Sequence, residues 1–156
     1  MRRRAFYRNA PCCQRNLHAY PYNLRLIREP AGAKPGCMME IFRAFTFEAA
    51  HLLPNVPPDH KCRRLHGHSF HVTVRVAGPV GAETGWVMDF AELKAACQPI
   101  HAALDHRFLN DVPGLENPTS ENIARWIWVR LHDTVAGLTA VEVRETCTSG
   151  CTYRGD

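Results

Sequence analysis

Residues 66–77, HGHSFHVTVRVA, constrain the fold more than any other stretch of the chain. Successive side chains of an extended chain point to opposite faces, so His66, His68, Phe70, Val72, Val74 and Val76 share one side, and Ser69, His71, Thr73 and Arg75 share the other. The valines suit a pleated surface with one covered face, and a helix would scatter the same residues around its circumference. The chain must therefore build a sheet with one buried side. That side begins with two histidines a single residue apart.

A second strand is predicted just upstream, where Ile41, Phe45 and Phe47 alternate with Phe42, Thr46 and Glu48 in a pattern that runs on toward His51. Pro54, Pro57 and Pro58 then force an irregular connection across residues 52–65. Gly78, Pro79, Gly81 and Gly85 mark a turn, and Trp86 to Met88 is expected to begin a short third strand. Asp89 with Glu92 resembles a capping box, after which Phe90, Leu93, Cys97, Ile100 and Leu104 recur at helical spacing. Pro99 falls inside that run and is expected to kink or break the helix. A second helix follows Pro118, capped by Thr119 or Ser120, with Ile123, Ile127 and Leu131 as its buried stripe, Trp126 beside them and Gly137 as its stop. Val141, Val143, Glu145 and Cys147 are expected on one face of a last long strand, extended by residues 152–154. This order predicts an α+β fold in which a four-stranded antiparallel sheet carries two helices on one face.

The chain divides by charge. Residues 1–38 hold eight Lys/Arg against one acid, whereas residues 39–156 hold eleven against fourteen, so the net charge of +4 hides a basic leader and a mildly acidic domain. Phosphate binding needs a basic face, and the patterned region does not supply one, which argues against a nucleic-acid partner. Residues 1–37 show no sustained helical or strand period. They read as a disordered basic leader or, because Met38 and Met39 stand directly before the first patterned segment, as the product of a start assigned too far upstream. No apolar run reaches the roughly 18–20 residues of a membrane span and no secretory signal opens the chain, so no membrane partner and a cytoplasmic location are expected. In a reducing compartment the seven cysteines are expected as thiols or metal ligands, with no disulfides.

His66 and His68 can grip one ion from the same face of a strand, with Gly67 leaving the opposite side uncrowded. His51, ending the preceding strand, would lie beside them in an antiparallel pairing. Three histidines without an obvious fourth protein ligand describe a catalytic zinc site with an open position. Cys62 could instead close the site as a fourth ligand, which would make the protein a zinc-stapled module whose arginine-rich arm contacts RNA. Cys147 and Cys151, separated as in some zinc sites, raise a similar alternative. His71 faces away from the pair, and His60 lies in the proline-rich loop.

Six segments taken in order, FTFEAAH (45–51), HKCRRLHGHSF (60–70), GWVMDF (85–90), LDHRFLND (104–111), NPTSEN (117–122) and VRETCTSGCTYRG (143–155), resemble the 6-pyruvoyltetrahydropterin synthase superfamily. Within it they are most similar to the 6-carboxytetrahydropterin synthase branch of queuosine biosynthesis. The resemblance runs from about Met39 to the C-terminus and implies a tunnelling fold whose sheets join into a barrel when the chain forms a trimer or hexamer, with sites at subunit interfaces. It implies zinc ligands at His51, His66 and His68, a catalytic thiol at Cys62, an Asp105–His106 catalytic pair and a pterin-anchoring carboxylate at Glu145. The implied reaction converts 7,8-dihydroneopterin triphosphate to 6-carboxytetrahydropterin, acetaldehyde and triphosphate without a nicotinamide. Pyruvoyl-type members, which keep the three-carbon side chain, tend to carry a longer Asn-rich connection between the cysteine and the His-x-His pair. Here only Arg63, Arg64 and Leu65 intervene, which favours the carboxy branch.

The residues suit these roles on chemical grounds. Basic neighbours at Lys61, Arg63 and Arg64 and a nearby metal are expected to favour the Cys62 thiolate, as a general base requires. Asp105 could hold or charge His106, although a turn-capping Asp105 beside an exposed His106 would look the same in sequence. Glu145 matches the paired donors of a pterin's amidine edge, or equally a surface ion pair with an arginine.

Overall fold

The computed structural model describes residues 38–155, and of the leader expected over residues 1–38 all but Met38 lies outside them. The strand β1 spans Met38–His51, one residue into the segment assigned to the leader, and β2 spans His66–Pro79. They pair antiparallel over their whole length, from Met38 opposite Pro79 to His51 opposite His66. The expected alternation holds through most of both strands, with Phe47, Ala49, Phe70, Val72, Val74 and Val76 buried and Thr46, Glu48, Ser69 and His71 exposed, but Thr73 on the outer face is also buried and Arg75 half-buried.

Helix α1 spans Phe90–Leu104 and is capped by Asp89, whose carboxylate accepts from the Ala91 amide at 2.8 Å. The helix runs through Pro99 without a break. Pro99 is exposed, and the carbonyl that loses its partner four residues earlier belongs to exposed Ala95, where water can replace the bond. Helix α2 spans Ser120–Leu131, capped by Thr119, and it buries Ile123, Ile127, Leu131 and both Trp126 and Trp128. It ends at Leu131 and not at Gly137. Gly137, at φ 77°, lies in the turn before β4 (Leu138–Arg144), where a Cβ would stand 2.4 Å from the Ala77 carbonyl oxygen.

The sheet itself corrects the sequence expectation of four antiparallel strands. It has five, ordered β3-β1-β2-β4-β5, with β3 (Arg107–Phe108) parallel to the end of β1 and the other pairings antiparallel. Trp86 to Met88 form a bend outside the sheet, with the Trp86 carbonyl accepting from Gly81 at 2.9 Å. The expected last long strand is a hairpin: β4 stops at Arg144, and β5 (Gly150–Tyr153) folds back so that Cys151 faces Val143. Thr146 Oγ1 accepts from the Thr148 and Ser149 amides (3.4 and 3.1 Å), supporting a turn with no glycine in its middle. Both helices cover one face, and a single core joins Phe70, Val72, Val74, Val141 and Val143 to Leu93, Ile100, Leu104, Ile123, Ile127 and Leu131. No helix among the described residues is long and apolar enough to cross a membrane.

Candidate metal centre and active site

Strand parity carries the core-facing row of β2 past Phe70 to His68 and His66, and the β1 register sets His51 opposite His66. The three imidazoles form a compact cluster, with ring centroids 4.5 Å (His51–His66), 5.1 Å (His51–His68) and 5.0 Å (His66–His68) apart. One ligand atom from each lies within 4.8 Å of the others, close enough for small ring rotations to bring all three onto one ion. Among the described residues this is the only such cluster of three or more His, Cys, Asp or Glu side chains. It includes neither Cys62 nor Cys147 and Cys151, and all four described cysteines, the buried Cys97 included, are free thiols.

Hydrogen bonding fixes which ring atoms face the cluster. His51 Nδ1 lies 2.9 Å from the Pro118 carbonyl oxygen and His66 Nδ1 lies 2.7 Å from that of Arg64. A carbonyl oxygen can only accept, so each Nδ1 is the donor and in the neutral ring Nε2 keeps its lone pair, the tautomer that metal-ligating histidines usually hold. His51 is fully buried, and its Nε2 has no hydrogen-bond partner. A buried, unpartnered polar atom is costly, and an ion would satisfy it. Burial holds the His51 pKa below its ordinary value, partly opposed by the Pro118 bond and by the charge of Glu145, so the ring favours the neutral form that binds metals.

Cys62 is half-buried in a 3-10 turn, Lys61–Arg63, where its amide donates to His60 Nδ1 at 3.1 Å and its carbonyl accepts from Leu53 at 2.8 Å. Of the expected basic neighbours, Arg63 is engaged elsewhere: its guanidinium donates to the Pro54 and Val56 carbonyls, both at 3.0 Å, and braces the loop. Asp105 caps the C-terminus of α1 and also accepts from the Glu48 amide at 3.0 Å and from His106 Nδ1 at 2.9 Å. These bonds, Glu48 first, hold the Asp105 carboxyl below its usual pKa.

His106 donates its own amide to Glu48 O at 2.7 Å and adopts φ 55°, the one left-handed non-glycine residue described. The backbone of β1 thus clasps the Asp105–His106 pair, and the His106 ring, 78% exposed, is presented to solvent. His106 and His68 line one open depression of about 570 Å³ together with Glu48, Gly67, Ser69 and Phe108. The capping role and the Asp105–His106 contact therefore coexist. Glu145 is half-buried in the bend after β4, near enough for its charge to act on His51.

Sequence reasoning gave no role to two groups that hold this site. The Pro118 carbonyl orients His51, and Asn110 grips the chain immediately beyond His51. Both lie within the LDHRFLND and NPTSEN segments, so motif membership was the available signal.

Comparison with known proteins agrees with this arrangement. The 6-pyruvoyl tetrahydropterin synthase family model matches residues 40–156. The 6-carboxy-5,6,7,8-tetrahydropterin synthase of Synechocystis is 53% identical over 122 residues, covering 74% of this chain and 93% of that protein. A dihydroneopterin monophosphate aldolase of Pyrococcus furiosus is 40% identical over 97 residues, covering 62% and 77%. The structure of Caenorhabditis elegans 6-pyruvoyl tetrahydropterin synthase superposes with a TM-score of 0.72 at 28% identity, covering 78% of this chain and 98% of the other. With its sheet, its two helices and its histidine trio in the matched region, this chain belongs to the 6-pyruvoyl tetrahydropterin synthase family.

Proposed function

We propose that this protein is a zinc-dependent 6-carboxytetrahydropterin synthase, converting 7,8-dihydroneopterin triphosphate and water to 6-carboxytetrahydropterin, acetaldehyde and triphosphate. The observation that carries this reading is the 53% identity to the Synechocystis enzyme across nearly that protein's whole length, in a chain whose three histidines meet at one point. His51, His66 and His68 would hold the ion, His51 and His66 through Nε2 atoms left free because their Nδ1 atoms donate to backbone carbonyls. An all-imidazole donor set with no fourth protein ligand suits a catalytic zinc, and such an ion, when bound, supplies the positive charge that makes nearby hydroxyl groups more acidic.

The other residues divide the remaining work. Cys62 is the base that removes a proton from the substrate's side chain. His106, charged or held by Asp105 at 2.9 Å, carries protons at the rim of the same depression. Glu145 accepts from the paired N–H groups of the pterin ring and so orients the side chain toward the trio.

The working form is an oligomer of sheets joined edge to edge. Supporting this, β3 covers only Ala49 and Ala50 of the long β1, and among the described residues no other strand pairs with that edge over residues 41–47. Open edges of this length are normally paired or covered. Incubation of zinc-loaded protein with 7,8-dihydroneopterin triphosphate, without reductant, tests the reading. Release of triphosphate and acetaldehyde is expected, and a substrate left intact would refute it.

A further inference from the structure

We infer that Asn110 is a positioning residue for the metal centre, standing in for a neighbouring strand where the β1–β2 ladder runs out. His51 is the last residue of β1 and sits on the final rung, opposite His66. The chain then departs into the irregular residues 52–65, so His51 occupies the place where a strand normally frays. The edge strand β3 supports β1 only as far as Ala50.

Past that point the Asn110 carboxamide takes over. Its Oδ1 accepts from the Leu52 amide at 3.0 Å and its Nδ2 donates to the Leu52 carbonyl at 2.9 Å, the same pair of bonds that a strand residue would exchange. Nδ2 also donates to the Glu116 carbonyl at 3.2 Å, tying β1 to the segment that leads to Pro118, whose carbonyl orients His51. One residue further on, Leu53 donates to the Cys62 carbonyl at 2.8 Å, so the clamped chain also carries the turn that holds the thiol. The amide orientation is dictated by its partners, because a flipped group would set donor against donor and acceptor against acceptor.

The inference rests on the metal reading of the histidine trio, and the test separates the two. Zinc affinity is measured by chelator competition, and the visible absorption of the cobalt-loaded protein is recorded, for wild type, Asn110→Ala, Asn110→Asp and a control, Val135→Ala. Asn110→Asp keeps the side chain's volume and the acceptor for Leu52 N–H but turns an oxygen toward two carbonyls. Val135 is buried near the turn that meets Ala77, at the opposite end of β2 from His66, so its truncation costs stability without touching the site.

Both Asn110 variants are expected to lose about 10-fold or more in zinc affinity and to shift the cobalt spectrum, while the control keeps both. Wild-type affinity and spectrum in folded Asn110→Asp would overturn the inference, whatever Asn110→Ala does. Failure of wild type to bind one zinc per chain would fell the metal reading first and the inference with it.

Discussion

Replacing His51 by Phe separates a metal ligand from a histidine that merely packs in the core. In the metal-free protein the imidazole contributes one hydrogen bond, to Pro118 O, whose loss leaves that buried carbonyl unpartnered at about 1–3 kcal/mol, and it leaves Nε2 buried and unpartnered at a similar cost of about 1–3 kcal/mol. Phe removes both and keeps a ring in edge contact with Phe70, 5.4 Å away between centroids. The two terms oppose each other, so the metal-free proteins should differ by less than about 2 kcal/mol. Zinc changes the comparison. At a free concentration 100 times its dissociation constant it stabilises the wild type by about 2.7 kcal/mol. For a domain of this size that is roughly a 10 °C rise in Tm. The variant should show no comparable shift. Thermal unfolding followed by circular dichroism after chelation, with and without added zinc, measures all four states. Equal zinc stabilisation of both proteins would place the metal elsewhere, and a metal-free variant more than about 3 kcal/mol less stable would mean that Nε2 was satisfied all along.

Three further outcomes follow from the same geometry. Cys62→Ala should keep its zinc, because Cys62 lies outside the ligand cluster, while kcat falls by about 100-fold or more; loss of the metal with the thiol would make Cys62 a ligand. Glu145→Gln should raise KM by about 10- to 100-fold at unchanged zinc content, as one acceptor facing the pterin becomes a donor, and unchanged kinetics would remove Glu145 from the site. The metal-free wild type should lose stability as pH falls below about 6.5: burial depresses the folded pKa of His51, so the unfolded chain takes up that proton first and stability is retained only above the ordinary value. His51→Phe should flatten that part of the pH profile, measured as Tm against pH, and an unaltered profile would contradict the assignment.

Much of this site was legible because strand parity is a strict rule. A strand over residues 66–76 puts His66 and His68 on one face, an antiparallel partner ending at His51 could bring the third imidazole beside them, and the register that sets His51 opposite His66 does so. The misreadings came where local signals were weak or overridden. A two-residue strand such as Arg107–Phe108 has no period to detect, and its parallel pairing comes from the Asp105–His106 clasp on Glu48. The β4–β5 hairpin was hidden because Thr146 supports its turn in place of the Asn-Gly or Asp-Gly that marks most hairpins. Pro99 leaves the helix unbroken because its orphaned carbonyl belongs to exposed Ala95, which sequence alone cannot show. The supporting bonds of Asn110 and Pro118 span 58 and 67 residues, and no local pattern encodes contacts of that range.

The most direct measurement is the ratio of acetaldehyde to triphosphate released from 7,8-dihydroneopterin triphosphate by the zinc-loaded protein, with the pterin product identified by mass spectrometry. Elimination of triphosphate is common to the carboxy and pyruvoyl reactions, and only cleavage of the three-carbon side chain yields acetaldehyde. One acetaldehyde is expected for each triphosphate, with 6-carboxytetrahydropterin as the pterin. Triphosphate released without acetaldehyde, leaving 6-pyruvoyltetrahydropterin, would contradict that expectation.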